Sequence, residues 1–119
     1  MQRVSLAEKF ALISEHWSPK IVGELNGQHV KLAKCLGEFV WHRHDREDEL
    51  FLVHRGRLRL EFHDGAVELG PGDFCIVPRG VEHRPVAPEE VELILFEPAG
   101  TLNTGDVVGE RTVVEPGRL

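Results

Sequence analysis

The chain has 119 residues, 41% of them hydrophobic and 29% charged, and a formal net charge of −6. This length suits one domain, residues 1–119, and the apolar fraction lies far from the composition of disordered chains. The negative charge argues against nucleic acid or an anionic membrane as a partner, and no apolar run approaches the length that spans a bilayer. The two cysteines, Cys35 and Cys75, lie among apolar residues without the spacing of a zinc or redox pair. We therefore expect a single folded domain in the cytoplasm.

The first predicted element is an amphipathic helix over residues 5–17. Its apolar side chains recur at spacings of three and four, the period of a helix buried on one face: they are Leu6, Phe10, Ile13 and Trp17. Ser5 is a suitable N-cap, with Glu8 three residues further on. Pro19 is expected to stop the helix.

From residue 20 the sequence consists of short runs that are apolar or alternate between apolar and polar residues, and glycine, proline and aspartate separate these runs about every ten residues. This rhythm predicts a barrel core over about residues 20–98, because many short antiparallel strands bury one face by closing into a barrel or packing as a sandwich. The predicted strands are Ile21–Leu25, Val30–Cys35, Phe39–His44, Glu49–His54, Arg57–Phe62, Ala66–Leu69, Phe74–Val77, His83–Val86 and Glu92–Phe96. Residues 99–119 lose the alternation, and we expect a C-terminal arm with a short strand or extended segment at Arg111–Val114.

Several polar residues that could bind a metal ion lie close together in the middle of the sequence. His42 and His44 are two residues apart, so in an extended strand their imidazoles point to the same face. Glu49 opens the next strand, and a return of the chain across Asp45–Asp48, a loop expected at the barrel mouth, could bring its carboxylate beside them. Spacing alone leaves two interpretations open: a metal site, or exposed polar residues on a charged turn.

Two spaced motifs resemble those of the cupin superfamily. The first combines a glycine, a His-x-His pair, a glutamate and a second glycine, matched by Gly37, His42, His44, Glu49 and Gly56. The second combines a glycine, a Pro-x-Gly and a histidine, matched by Gly72, Pro78, Gly80 and His83, with Ala87 in place of its terminal asparagine. The resemblance covers residues 37–87. It implies an all-β, double-stranded β-helix (jelly-roll) barrel, to which this chain adds the short N-terminal helix.

The resemblance also implies that His42, His44, Glu49 and His83 ligate one divalent metal ion inside the barrel. Three neutral imidazoles and one carboxylate suit Fe, Zn, Ni, Mn or Cu. Four protein donors leave one or two coordination positions open, which a catalytic or ligand-binding metal requires.

Function is less closely determined than fold, because this superfamily contains dioxygenases, isomerases and binding domains without catalytic activity. We favour a small metal-dependent enzyme of the dioxygenase or isomerase type, acting on a polar, oxygen-bearing small molecule. The alternative is a non-catalytic, metal-dependent binding or sensor module. The chain also resembles small bacterial proteins described as similar to mannose-6-phosphate isomerase, but only across the barrel core, and it has no evident basic cluster for a phosphate.

The remaining histidines and the strand aromatics are expected to have structural or surface roles. His54 should face away from Glu49, and His16, His29 and His63 should lie in turns or on the surface. The aromatic residues expected in the core are Trp41, Phe51, Phe62, Phe74 and Phe96. We also expect a homodimer, because the apolar edge Ile21–Leu25 and the apolar stripe of the helix need cover.

Overall fold

A computed structural model describes all residues, 1–119. One helix is followed by eight strands: α1 (Leu6–Ala11), β1 (Lys20–Leu25), β2 (Gln28–Glu38), β3 (Glu49–Arg55), β4 (Leu58–Phe62), β5 (Gly65–Leu69), β6 (Phe74–Val77), β7 (Arg84–Pro98) and β8 (Gly117–Arg118). The all-β fold class with a short N-terminal helix is confirmed.

Strand β7 joins the two halves of the barrel. One of its edges runs antiparallel to β2 over most of its length, while the other pairs first with β4 and then with β3. Residues 88–90 bulge out between the pairs Gly37↔Ala87 and Cys35↔Val91. The two strands predicted at His83–Val86 and Glu92–Phe96 are therefore one, because β2 stays paired on both sides of the bulge.

Helix α1 is shorter than the predicted helix over residues 5–17. Ser5 caps it as predicted, since its hydroxyl accepts a hydrogen bond from the backbone N–H of Glu8. The helix stops at Ala11 because the chain then turns toward β2. Trp17, at a φ of +59°, donates its backbone N–H to the carbonyl of Lys34.

The apolar stripe of this N-terminal segment is nevertheless buried. Phe10 and Ile13 pack on Leu32 and Ile94, on the outer face of the sheet. Trp17 instead belongs to the core inside the barrel. Residues 5–17 therefore cover one side of the barrel as a short helix followed by an irregular stretch, and not as one helix of four turns.

The predicted strand Phe39–His44 is extended but not part of a regular ladder. It pairs with the chain just before β7 through single contacts: His42 and His83 exchange two backbone hydrogen bonds, of 3.0 and 2.8 Å, and the N–H of Gly80 donates to the carbonyl of His44 at 2.7 Å. These contacts fix the segment against the second histidine motif.

The C-terminal arm crosses the barrel mouth and ends in β8, which pairs in parallel with β1. Of the two alternatives expected at Arg111–Val114, the short strand does not form. Polar groups of these residues instead bond within the arm, to the amide of Asn103 and the hydroxyl of Thr104. The arm is seated tightly: Gly105, at a φ of +54°, lies so close to the carbonyl of Arg43 and the ring of His42 that an added Cβ would overlap the carbonyl.

The barrel interior away from this mouth is apolar. Its core contains Trp17, Ala33, Cys35, Phe39, Phe51, Val53, Leu58, Leu60, Leu69, Val77, Ala87, Val91, Leu93 and Leu95. Gly56 allows β7 to approach closely, because a Cβ there would lie 2.7 Å from the carbonyl oxygen of Glu90. Phe74 is not a core residue as predicted: it is 60% exposed, since it projects outward from β6.

Candidate metal centre

The four residues predicted to bind a metal converge inside the barrel. His42, His44, Glu49 and His83 are all buried, and one donor atom from each lies within 4.8 Å of the others. Two donors bound to one ion at about 2.1 Å can be no more than about 4.2 Å apart. Small side-chain rotations would therefore allow all four to hold one ion.

The backbone sets the direction of each side chain. The backbone hydrogen bonds between His42 and His83 place the centroids of their imidazole rings 4.4 Å apart. The ring centroid of His44 lies 5.1 Å from that of His42. Arg43, between the two histidines, points outward and binds Asp45, with an Nε to Oδ1 distance of 2.8 Å. Glu49 faces inward from the first position of β3, and its Oε1 lies 3.2 Å from Nε2 of His44.

Backbone carbonyls hold two of the imidazoles in a metal-binding tautomer. Nδ1 of His42 donates to the carbonyl of Val40 and Nδ1 of His83 donates to the carbonyl of Val81, both at 2.9 Å. A carbonyl oxygen only accepts, so Nδ1 carries the proton and Nε2 keeps its lone pair.

Several donor atoms of the site are buried without a hydrogen-bond partner, namely Nε2 of His83, both ring nitrogens of His44 and Oε1 of Glu49. Buried polar atoms normally have partners, and a divalent cation would satisfy these. The donor set of imidazole nitrogens and one carboxylate thus fits a transition metal in its chemistry as well as its position.

Electrostatics favour the metal-binding forms of His42 and Glu49, but not that of His44. Burial, followed by the neighbouring His83, lowers the pKa of His42 to about 4. Burial also acts to lower the pKa of His44, but the adjacent carboxylate of Glu49 outweighs it and the pKa is raised. Burial acts to raise the pKa of Glu49, yet the neighbouring side chains of Glu97, His44 and His83 hold it well below its usual value. Near neutral pH the site therefore offers a neutral His42 and an ionised Glu49, the forms that bind metal.

A buried contact between Lys31 and Glu97, behind Glu49, was missed by the sequence analysis. Nζ of Lys31 donates to Oε1 of Glu97 at 2.9 Å and to the carbonyl of Thr101 at 3.3 Å, and both side chains are at most 2% exposed. The available signal was a lysine at an inward position of β2, next to Leu32, which is costly to bury unless it is paired.

The carboxyl group of Glu97 also lies within hydrogen-bonding reach of Glu49. Its Oε2 has no donor partner, so a bond between the two carboxyl groups requires a proton on one of them. Burial and the charge of Glu49 raise the pKa of Glu97 well above its usual value, which assigns that proton to Glu97. Glu97 therefore links Lys31 to the metal-facing carboxylate.

A small, largely apolar cavity of about 30 Å³ adjoins the donors. His42, Glu49 and Asn103 are the polar parts of its wall. The apolar parts are Trp17, Pro19, Ala33, Cys35, Phe39, Phe51, Pro85, Leu93 and Leu95. The amide of Asn103 is already engaged, since it donates to the carbonyl of Arg111 and accepts from the N–H of Val113. No lysine or arginine side chain lines the cavity.

The remaining four histidines lie outside the cluster, each beside a glutamate. The pairs and their closest nitrogen–oxygen distances are His16–Glu90 at 2.7 Å, His29–Glu24 at 3.7 Å, His54–Glu92 at 2.9 Å and His63–Glu82 at 2.5 Å. His29 is not a turn or surface residue as predicted: it lies in β2 and its side chain is 12% exposed. The difference arises because β2 begins at Gln28, before the predicted strand.

The helix of this structure lacks the length and apolar character needed to cross a membrane. The Cupin_2 family model, described as a cupin domain, matches residues 28–97. The uncharacterized protein YdbB of Bacillus subtilis (strain 168) is 39% identical over 64 residues, which are 53% of this chain and 57% of YdbB. The match thus spans little more than half the length of this relative.

Among solved structures, a cupin-2 domain-containing protein from Shewanella frigidimarina NCIMB 400 is 42% identical, with a TM-score of 0.79 over 80% of this chain and 93% of that one. The hydroquinone 1,2-dioxygenase PnpCD has the same fold, with a TM-score of 0.69 over 77% of this chain and 70% of its own, at 23% identity. The family match covers more than half of the chain and coincides with the residues that build the barrel. The chain therefore belongs to the Cupin_2 family of cupin-domain proteins.

Proposed function

We propose that the protein is a small metal-dependent enzyme of the dioxygenase or isomerase type, with one divalent ion held by His42, His44, Glu49 and His83. The observation that carries this proposal is the set of buried, unpartnered donor atoms that converge inside the barrel beside a small cavity. A metal bound there supplies a Lewis acid and, if it is iron, copper or manganese, a redox centre.

The roles of the chain's own residues follow from their contacts. The carbonyls of Val40 and Val81 keep Nε2 of His42 and His83 directed to the centre of the site. Glu49 supplies one negative charge, so a divalent ion there keeps a net positive charge. PnpCD, a dioxygenase whose structure contains Cd²⁺ and 4-hydroxybenzonitrile, provides a precedent for metal and small-molecule binding on this fold.

The test is metal analysis of protein purified without added metal, followed by oxygen-uptake measurements with catechols, thiols, β-diketones and keto acids. Iron together with oxygen uptake supports a dioxygenase, whereas zinc or nickel without uptake directs the search to isomerase substrates. His83→Ala should lose the metal, and His54→Ala, which removes a histidine outside the cluster, should keep it. Equal metal content in the two variants would refute the proposal.

A binding or sensor module is the second candidate, and the composition of the cavity wall favours it. Apart from the thiol of Cys35, whose pKa is raised by burial, the titratable groups there are His42 and Glu49, and both are proposed ligands. An enzyme needing a separate general acid or base would have to take it from the substrate or from bound water. Saturable binding of a small molecule with no product formed would support the sensor.

We also propose that the protein forms a homodimer, by a different surface from the one first expected. The apolar side chains of α1 are covered by their own barrel, and β1 is paired on both sides, by β2 and β8. Strand β6 pairs only with β3 and exposes Phe74 and Ile76. Light scattering at micromolar concentration should give a dimer mass that falls to a monomer in Ile76→Asp, and a monomeric wild type would refute this. A cytoplasmic location stays a prediction.

A further inference from the structure

A turn in the second motif contacts both ends of the loop that separates two of the proposed ligands. The turn is residues 78–80, and the loop is residues 45–48, which run from His44 to Glu49. We infer that Asp48 is a positioning residue, whose carboxylate fastens this loop to the turn and thereby orients the ligands on either side of the loop. The inference rests on the proposed function, because it concerns how the chain holds the same four ligands.

Two successive backbone N–H groups of the turn bind opposite ends of the loop. The N–H of Gly80 donates to the carbonyl of His44, just before the loop, at a distance of 2.7 Å. The N–H of Arg79 donates to Oδ1 of Asp48, the last residue of the loop, at 2.9 Å. The guanidinium of Arg79 adds two bonds to the same carboxylate, from Nε to Oδ1 at 3.1 Å and from Nη2 to Oδ2 at 3.3 Å. The turn therefore holds the loop at both ends.

The same turn leads directly to the ligand of the second motif. His83 follows Gly80 by three residues, and its Nε2 lies 3.6 Å from Oε1 of Glu49. Residues 39–48 belong to none of the eight strands, so single contacts rather than a regular ladder hold them in place. Among the side chains of the loop, that of Asp48 is the one bonded to the turn. It therefore joins the two motifs that together supply the four ligands.

The hydrogen bond to the backbone, and not the ion pair, should carry most of this effect. The side chains of Asp48 and Arg79 are 51% and 63% exposed, so water screens the attraction between their charges. The ladder between β3 and β6 ends at the pair Glu49↔Val77, and the backbone of the turn lies beyond it. The N–H of Arg79 therefore needs an acceptor from a side chain or from water, and the carboxylate of Asp48 supplies it.

Three substitutions separate positioning from a direct effect of charge on the metal. Asp48→Ala removes every contact with the turn, and its affinity for Ni²⁺ in isothermal titration should fall about tenfold, the lower end for groups that orient a ligand. Asp48→Asn removes the charge but keeps an oxygen for the N–H of Arg79, so it should recover most of the affinity. Arg79→Ala removes the guanidinium and keeps the backbone bond, so it should stay close to wild type.

The outcomes that overturn the inference are distinct from these. If the charge of Asp48 alone acted on the metal, Asp48→Asn would lose as much affinity as Asp48→Ala, and Arg79→Ala would bind Ni²⁺ more tightly than wild type. The matched control is Glu68→Ala, because Glu68 is 50% exposed and pairs with Arg59 at 3.0 Å on strands β4 and β5. It should keep full affinity, and an equal loss in Glu68→Ala and Asp48→Ala, or no loss in either, also overturns the inference.

Hydrogen exchange of the metal-free protein, followed by NMR, tests the same contact without an ion. In Asp48→Ala the N–H of Gly80 should exchange about tenfold faster than in wild type, because a loosened turn releases its bond to His44. Amides in the middle of β7 should keep their wild-type rates, which shows that the variant is folded. An unchanged rate at Gly80 overturns the inference. Because this measurement contains no metal, its failure is separate from a failure of metal analysis, which would refute the proposed function.

Discussion

Three of the seven histidines face the barrel interior and four lie outside it, and the two groups have opposite surroundings. Each outer histidine lies beside its own glutamate. The three inner histidines share one carboxylate, Glu49, and two of them have Nδ1 fixed by backbone carbonyls. Since every outer histidine also has a nearby carboxylate, the comparison teaches that such a neighbour does not mark a candidate ligand here, whereas burial and convergence of the rings do.

Removing an inner histidine should have the largest effect. At a hundredfold excess over Kd, a metal that binds only the native state should stabilise the wild type by about 2.7 kcal/mol. His42→Ala should abolish this increment in thermal melting, while its metal-free circular dichroism stays close to that of wild type, because the apolar core does not depend on the ion. His54→Ala should keep the full increment.

This expectation has two clear ways to fail. A chelator that unfolds the wild type outright would show that the metal replaces a core the chain cannot build, as in a zinc finger. An identical melting shift in wild type and His42→Ala would show that the added metal binds elsewhere.

The residues behind Glu49 should have the next largest effect. Glu97→Leu leaves Lys31 without its partner and removes the contact to Glu49, so metal affinity should fall about 10- to 100-fold, as is usual for groups that orient a ligand. Glu97→Gln keeps the shape, and its amide can donate to Glu49 while accepting from Lys31, so it should recover most of the affinity. Isothermal titration with Ni²⁺ measures both, and equal losses would show that Glu97 does not position Glu49.

Acidification should lower the stability of the metal-free protein, because His42 is buried in its neutral form. The folded-state pKa of His42 lies near 4, below its unfolded value of 6.5. As pH falls below 6.5 the unfolded chain therefore takes up a proton that the folded chain does not, and stability drops until about pH 4. We expect wild type to lose about 3 kcal/mol more than His42→Gln over this range in urea titrations. Parallel curves for the two proteins would contradict the low pKa.

An outer histidine should have the smallest effect. His63 is 70% exposed, and its pair with Glu82 is a surface ion pair of the kind worth little. His63→Ala should change the free energy of unfolding by no more than about 0.5 kcal/mol and leave Ni²⁺ affinity unchanged. A larger loss would mean that the stacking of His63 on Trp41 matters more than its charge.

The fold class and the grouping of His42, His44, Glu49 and His83 were predicted from the sequence, because two of its motifs resemble those of the cupin superfamily, whereas spacing alone left a metal site and a charged turn as alternatives. It was insufficient for Lys31 and Glu97, since their pairing depends on the register between β2 and β7, which residue spacing does not specify. The end of α1 was missed for a similar reason: the helical period continues to Trp17, but its contacts with Lys34 and Leu36 of β2 override it. Tertiary contacts decided each of these cases.

The seat of Gly105 against Arg43 and His42 also limits how the barrel mouth can be redesigned. Even a methyl group at position 105 would overlap the carbonyl of Arg43, so Gly105→Ala would act as a wedge between the arm and the barrel. The arm therefore packs directly on the ring of His42. A design that replaces the arm but keeps the barrel must retain a glycine at position 105.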